Sequence, residues 1–349
     1  MTEPTWPALL NALAAGEDLS IAEAEWAMGR VMTGEATPAQ LGALLIALKI
    51  KGETVDEVVG FRDAALAHAA ELDVPSGVLD IVGTGGDPLG VLNISTVAAV
   101  VAAAAGVPVV KHGNRAASSR SGASDVLAAL GIDVGVSPAR AAAILGEVGV
   151  TFANAAVLHP GFRHAGPTRR EIGVSTLFNV LGPLSNPARP EASAVGVADL
   201  ARVPLIVGVF QTRGATALVY RGDDGIDKLT TTGHSHVWEV TAGAVQEHDL
   251  DPAELGIPRA GAEDITGGEP EHNAAVIRAV LAGERGAARD IVLLNAAAGL
   301  AAYDLWRNPE DRFVPLRERL AEQLRVAEGV VDSGLAAEKL DAWAAATRR

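Results

Sequence analysis

Apolar positions recur three and four apart through residues 1–70, in Leu9–Leu13, Ala22–Val31 and Leu41–Ile50. That spacing predicts amphipathic helices. Ser20 and Thr37 read as helix starts, and Pro38 takes the first helical position. Thr54 opens a further helix that buries Val58, Val59, Phe61 and Ala65. No catalytic constellation occurs here, and packing or dimerisation is the expected role. Near Pro75–Gly77 the pattern changes. Short apolar runs then alternate with helical ones: strand 79–82, helix 97–105, strand 107–110, then helices Ser124–Leu130 and Ala139–Val148. Thr151–Ala156 reads as another strand. This alternation predicts a parallel sheet covered by helices. After an irregular stretch at 157–190, the sheet pattern resumes at Ala194–Val197, Leu205–Val209 and Ala217–Tyr220. Trp238–His248 reads as a strand pair turning at Gly243, and Asn273–Leu281 as a helix. Ile291–Ala298 fits either a strand or a buried helix, and Val314–Trp343 is helical.

Two strand ends carry the candidate chemistry. Leu79–Val82 runs directly into Gly83, Gly85 and Gly86, where backbone N–H groups can face an anion with no Cβ in the way. Asn93 and Ser95 read as the cap and first turn of the next helix, whose start offers unpaired N–H groups and a positive dipole end. The strand Val107–Val110 is followed by Lys111, Asn114, Arg115, Ser118, Ser119 and Arg120, all rich in donors. Either loop alone is an ordinary turn. The pair, separated by one helical crossover, points to a phosphate site outside the carboxyl ends of parallel strands. The spacing matches neither a Walker loop nor a dinucleotide fingerprint.

Composition narrows the partners. The 349 residues suffice for one large or two ordinary domains, and no cysteine is available for disulfides, thiolate catalysis or metal binding. A formal charge of −15 argues against nucleic acid or an anionic membrane as a general partner. No signal peptide or bilayer-spanning run is evident, so a soluble cytoplasmic protein is expected.

Two further clusters stand out. Arg163, Arg169 and Arg170 gather among Gly and Pro turns in an otherwise acidic chain. They suit either surface ion pairs or the bidentate seating of a carboxylate. Asp223, Asp224 and Asp227 follow a strand and read either as an acidic turn or as Mg²⁺ ligands. His234 and His236 lack a third metal ligand.

Taken together, Asp80–Asp87, Asn93–Thr96, Lys111–Ser119, Arg169-Arg170 and Leu181–Pro187 resemble the anthranilate phosphoribosyltransferase family in order and over nearly the whole chain. The resemblance implies transfer of ribose 5-phosphate from phosphoribosyl pyrophosphate (PRPP) to the amine of anthranilate, in tryptophan biosynthesis. It also implies Mg²⁺ as cofactor and a homodimer. The implied fold is α/β: a small all-helical domain plus a larger α/β domain with a mainly parallel central sheet covered by helices, similar to nucleoside phosphorylases. Residues 1–74 would form the helical domain, joined by an inserted segment near 168–190. Residues 75–167 and 191–349 would form the catalytic domain.

By that resemblance, Gly83, Gly86, Asp87, Asn93, Ile94, Ser95 and Thr96 surround the pyrophosphate and its metal. Lys111, His112, Gly113, Asn114, Arg115, Ala116, Ala117, Ser118 and Ser119 close on PRPP, with Ala123 letting backbone approach. Gly83, Asn114, His159, Arg169, Gly182 and Pro183 fall on the anthranilate side, Arg169 as carboxylate partner. Ser95 and Asp227 are the implied metal ligands. The chain departs from the family pattern at Asp227-Lys228, where the family has Asp-Glu and both bind Mg²⁺. Either the Lys228 ammonium neutralises pyrophosphate directly or Asp223 or Asp224 substitutes as ligand, and one of two metal positions is expected to be weakened. Ser175, Val91 and the polar stretch Phe152-Ala-Asn154 are further departures. Two other readings are a pyrimidine nucleoside phosphorylase-like enzyme and a non-catalytic nucleic-acid-binding relative. The Arg169-Arg170 and Leu181–Pro187 pattern opposes the first, and the acidic charge opposes the second.

Overall fold

The computed structural model describes residues 3–115 and 120–349. Four helices lead: α1 (Trp6–Ala14), α2 (Ile21–Met32), α3 (Pro38–Lys51) and α4 (Val55–Ala67). Ser20, Thr37 and Thr54 each close a reciprocal capping box with the Glu or Gln three residues on. Two orphan amides are thereby satisfied at each helix start. Helix α4 crosses α2 at Gly60, where a Cβ would overlap the Ile21 carbonyl and approach Ala24 Cβ to 2.7 Å.

The second body is a seven-stranded sheet in the order β3-β2-β1-β4-β5-β6-β7. Along the chain come β1 (Leu79–Gly83), α5 (Ile94–Ala104), β2 (Val109–Gly113), α6 (Ala123–Ala129), α7 (Pro138–Val148) and β3 (Val150–Asn154). The short helices α8 (Ala155–Leu158), α9 (Gly166–Ile172) and α10 (Phe178–Leu184) precede β4 (Ala192–Gly196). Then follow α11 (Val203–Arg213), β5 (Thr216–Gly222), β6 (Ser235–Thr241) and β7 (Ala244–Leu250). Helices α12 (Ala262–Ile265), α13 (Pro270–Leu281), α14 (Ala287–Arg307), α15 (Leu316–Asp332) and α16 (Leu335–Thr347) end the chain.

Strands β1 to β5 pair in parallel, and β6–β7 is an antiparallel hairpin on the edge. Its turn places Ala242 at φ 48° and Gly243 at φ 76°, the left-handed pair that a two-residue hairpin favours. Side chains alternate across the sheet. Leu79, Ile81, Ala192, Ala194, Leu218 and Tyr220 face a core shared with α5 and α14 to α16. Val82, Val195, Val197, Ala217 and Val219 face a second core, shared with α11 and the N-terminal helices. Ala165 and the α10 residues Phe178, Val180, Leu181 and Leu184 belong to that second core. Helix α9 packs on α3, and α10 on α4, α11 and strands β1 and β2.

Two expectations change, and one open alternative is settled. Leu205–Val209 is helical, inside α11, because the parallel pair β4–β5 requires a crossover that covers the sheet. Its apolar run reads as a strand because both sides of the helix are buried. Lys111 does not follow a strand but lies within β2, at 3 % exposure. Ile291–Ala298 is the buried middle of α14.

Candidate active site

Strand order reverses between β1 and β4, since β2 and β3 lie to one side of β1 and β4 and β5 to the other. Such a switch point leaves a crevice at the strand carboxyl ends. A cleft of about 320 Å³ opens there. The β1 end is fixed first: Thr84 N–H donates to the Gly196 carbonyl of β4 at 3.0 Å. Gly85 (φ 70°) and Gly86 (φ 78°) then turn through left-handed conformations. Asp87 Oδ1 accepts the amides of Leu89, Gly90 and Val91 at 3.1, 2.6 and 3.3 Å, which curls the loop back toward α5.

At the start of α5, Asn93 holds the cap position without a side-chain cap bond. Its amide instead donates to the Ser121 carbonyl at 3.0 Å, and its Oδ1 accepts from Asn273 at 2.9 Å. The expected cap is thus a strut between the two loops and α13. Ser95 Oγ, one residue into the helix, is buried with no hydrogen-bond partner among the described residues.

Beneath the cleft runs a buried polar line. Lys111 Nζ donates to the Ile81 carbonyl at 2.8 Å. Asp80, on β1, accepts the His112 amide at 3.1 Å and Asn186 Nδ2 at 2.9 Å. Burial lowers the Lys111 ammonium to about 8, against the opposing pull of Asp80. Burial also raises the Asp80 carboxyl to about 6. His112 drops to about 3, again by burial, with His159 adding to it. It is therefore a neutral ring, with Nδ1 2.9 Å from the Gly182 carbonyl.

The opposite wall is apolar with one cation. Arg169 of α9 lies with its guanidinium 4.7 Å over the Phe178 ring. Phe162 meets Phe178 edge-on at 5.7 Å and stacks on His159 at 4.8 Å. Among the described residues no carboxylate pairs with Arg169, and burial lowers its pKa. A half-buried guanidinium beside two aromatic faces can hold a planar aromatic acid: the rings take its face and the fork its carboxylate.

On the third wall stands the acidic loop. Asp227 Oδ2 accepts Gly85 N–H at 2.8 Å, and Oδ1 pairs with Lys228 Nζ. Asp224 instead accepts the hydroxyls of Thr230 and Thr232, both at 2.6 Å. Asp223 lies 3.4 Å from His236. Neither lines the cleft, so neither stands in as a ligand there.

Of the expected site residues, the cleft collects Gly83, Gly86, Asp87, Asn93, Ser95, Thr96, Lys111, His112, Gly113, Asn114, Arg115, Ala123, Arg169, Gly182 and Asp227. Three stay behind the lining. Ile94 is fully buried in the core, His159 sits beneath Phe162, and Pro183 is buried inside α10. Ala116, Ala117, Ser118 and Ser119 lie outside the described residues. Sequence reasoning missed Phe162, Phe178 and Asn179. An apolar run around a candidate arginine was the available signal.

Known proteins share the sequence and fold of this chain. The helical bundle domain of a glycosyl transferase family matches residues 7–69, and that family's a/b domain matches residues 76–337. An anthranilate phosphoribosyltransferase of Clavibacter michiganensis subsp. michiganensis is 69% identical over 346 residues, covering 99% of both chains. This chain belongs to the anthranilate phosphoribosyltransferase family. Among solved anthranilate phosphoribosyltransferases, that of Thermus thermophilus superposes with a TM-score of 0.89 at 41% identity, over 97% of this chain and 99% of its own. The Saccharomyces cerevisiae anthranilate phosphoribosyltransferase, solved in complex with PRPP and Mg, shares the fold with a TM-score of 0.89 at 24% identity, over 99% of both chains.

Proposed function

We infer that this chain transfers the 5-phosphoribosyl group of PRPP to the amine of anthranilate, releasing pyrophosphate, in tryptophan biosynthesis. The observation that carries the reading is one cleft with two unlike walls. One is built of glycine amides, Lys111 and the start of α5, the other of Arg169 and two phenylalanines. Membership of the family supports it, and a pyrimidine nucleoside phosphorylase or a nucleic-acid binder is not favoured.

In our proposal, the Gly83–Asp87 loop, Asn93, Ser95, Thr96, Lys111 and the following loop hold PRPP. Arg169 and the ring faces hold anthranilate. Its arylamine is neutral near pH 7 and already carries a free lone pair, so no strong base is required. Bond breaking at the anomeric carbon leaves charge on the diphosphate, and the main tasks are to stabilise that charge and hold the amine in line.

Mg²⁺ is the proposed cofactor, as in the yeast complex. The fit is good at Ser95, whose buried hydroxyl lacks a partner among the described residues. It is poor at Asp227, whose two oxygens are engaged. Among the described residues no group of three His, Asp or Glu side chains could hold a metal. Mg²⁺ bound through Ser95 and substrate oxygens would supply positive charge to the diphosphate. We also propose a cytoplasmic homodimer. Among the described residues no helix is long and apolar enough to cross a membrane, and Ile50 is 81% exposed on the helical body.

The test is loss of anthranilate fluorescence on adding PRPP and Mg²⁺, run beside thymidine plus phosphate. Consumption of anthranilate alone is expected. Turnover of thymidine alone would overturn the reading.

A further inference from the structure

Expected as a metal seat, the acidic loop gives the cleft one carboxylate, already neutralised. Asp227 is held by Gly85 N–H at 2.8 Å and by the Lys228 ammonium, and the two side chains are 3% and 9% exposed. The pair stands against the phosphate loop: a Cβ added at Gly83 would overlap the Asp227 carboxylate and lie 3.2 Å from Lys228 Nζ. Among the described residues, Asp227 is the only hydrogen-bond acceptor of that ammonium. An ammonium has three donors. Two therefore remain for oxygens entering the cleft, which Lys228 lines. Burying such a pair costs desolvation that mutual attraction rarely recovers, so a purely structural role is a poor explanation.

We propose that Lys228 is a catalytic residue of the transfer, a fixed cation set against the departing diphosphate where a second bound metal ion would otherwise be needed. The proposal rests on the reading of the cleft given above. In the step it serves, the anomeric C–O bond breaks and its electron pair leaves on the diphosphate oxygen. The arylamine lone pair forms the C–N bond, and the surplus amine proton passes to water. Lys228 keeps its own protons and donates hydrogen bonds to the diphosphate oxygens as their charge grows. Asp227 holds the ammonium in place, and that fixed positive charge disfavours a metal ion on the same carboxylate.

The test has two readouts. Equilibrium dialysis with Mn²⁺ and saturating PRPP counts ions on the wild-type chain, with no dependence on any variant folding. About one ion per chain is expected, rising by one in Lys228→Glu, which restores an oxygen ligand. Steady-state rates are then compared for Lys228→Met and Lys228→Arg. The methionine variant should lose kcat on the order of 10²-fold, with the KM for anthranilate unchanged. Arginine, which keeps the charge, should recover most of that loss. Two Mn²⁺ ions on the wild type, or a methionine variant with undiminished kcat, would overturn the role of Lys228 alone. A wild-type chain inert toward anthranilate and PRPP would instead overturn the reading of the cleft, and this proposal with it.

Discussion

In the proposed site, Arg169 owes its selectivity to being half-buried with no carboxylate partner among the described residues. Burial lowers its pKa, and the Phe178 ring beneath it offers only a weak electrostatic partner. A carboxylate in the cleft relieves that cost through two parallel hydrogen bonds. Arg169→Ala should therefore raise the KM for anthranilate by about 10-fold or more, roughly one charge-assisted hydrogen bond or better, and leave the KM for PRPP within about twofold. An unchanged acceptor KM would remove Arg169 from that role. Lys111 carries a second prediction. Its ammonium is lowered to about 8 by burial, so raising pH through that value removes a positive charge from the diphosphate side of the cleft. The kcat/KM for PRPP reports groups of the free enzyme and should fall above about pH 8. In Lys111→Arg the guanidinium stays charged and that limb should vanish from the accessible range. A profile flat from pH 7 to 9.5 in the wild type would contradict the assignment. Much of this site is legible in the chain itself. Glycines next to a strand end and Asn93-Ile-Ser-Thr96 before an apolar helix are local signals. What was not legible depends on packing. Phe162 and Phe178 come from separate short helical segments and converge only in three dimensions. The burial of Lys111 follows from strand β2 running three residues further than its apolar run suggests.

At the scale of elements, the close crossing of α2 and α4 is set by a single glycine. Gly60 is buried, and a Cβ there has no room against the Ile21 carbonyl and Ala24. Gly60→Ala should destabilise the protein by about 1–3 kcal/mol through overpacking, although alanine is the better helix former by about 1 kcal/mol. A lower urea midpoint with unchanged slope would bear this out; a raised midpoint would show that the helices part freely. The three helix starts were readable from Ser20, Thr37 and Thr54, and the structure adds to each a Glu or Gln partner three residues on. Helix α11 was not, because a helix buried on both sides loses the polar stripe that distinguishes it from a core strand. The hairpin β6–β7 was readable from Gly243 and the alternation on either side.

The whole molecule reconciles an acidic chain with an anionic substrate. Its formal charge of −15 would oppose PRPP at long range. Salt screens exposed charges beyond about 8 Å, however, and the cleft gathers Lys111, Arg115, Arg169 and Lys228 within its lining. Against the two carboxylates of the same lining, Asp87 and Asp227, these leave a local excess of positive charge. The sheet supplies the place, because its switch point puts the β1 and β2 corners on one rim, and segment 168–190 brings Arg169 across from the helical body. The expected insertion near 168–190 came from the family resemblance rather than from periodicity, since packing on distant elements leaves no local trace. If the two corners form one seat, PRPP diffused into crystals should show its diphosphate between Gly83–Asp87 and the start of α5, within hydrogen-bond reach of Lys228. Density for the sugar phosphate anywhere else, with the two corners bare, would contradict the account.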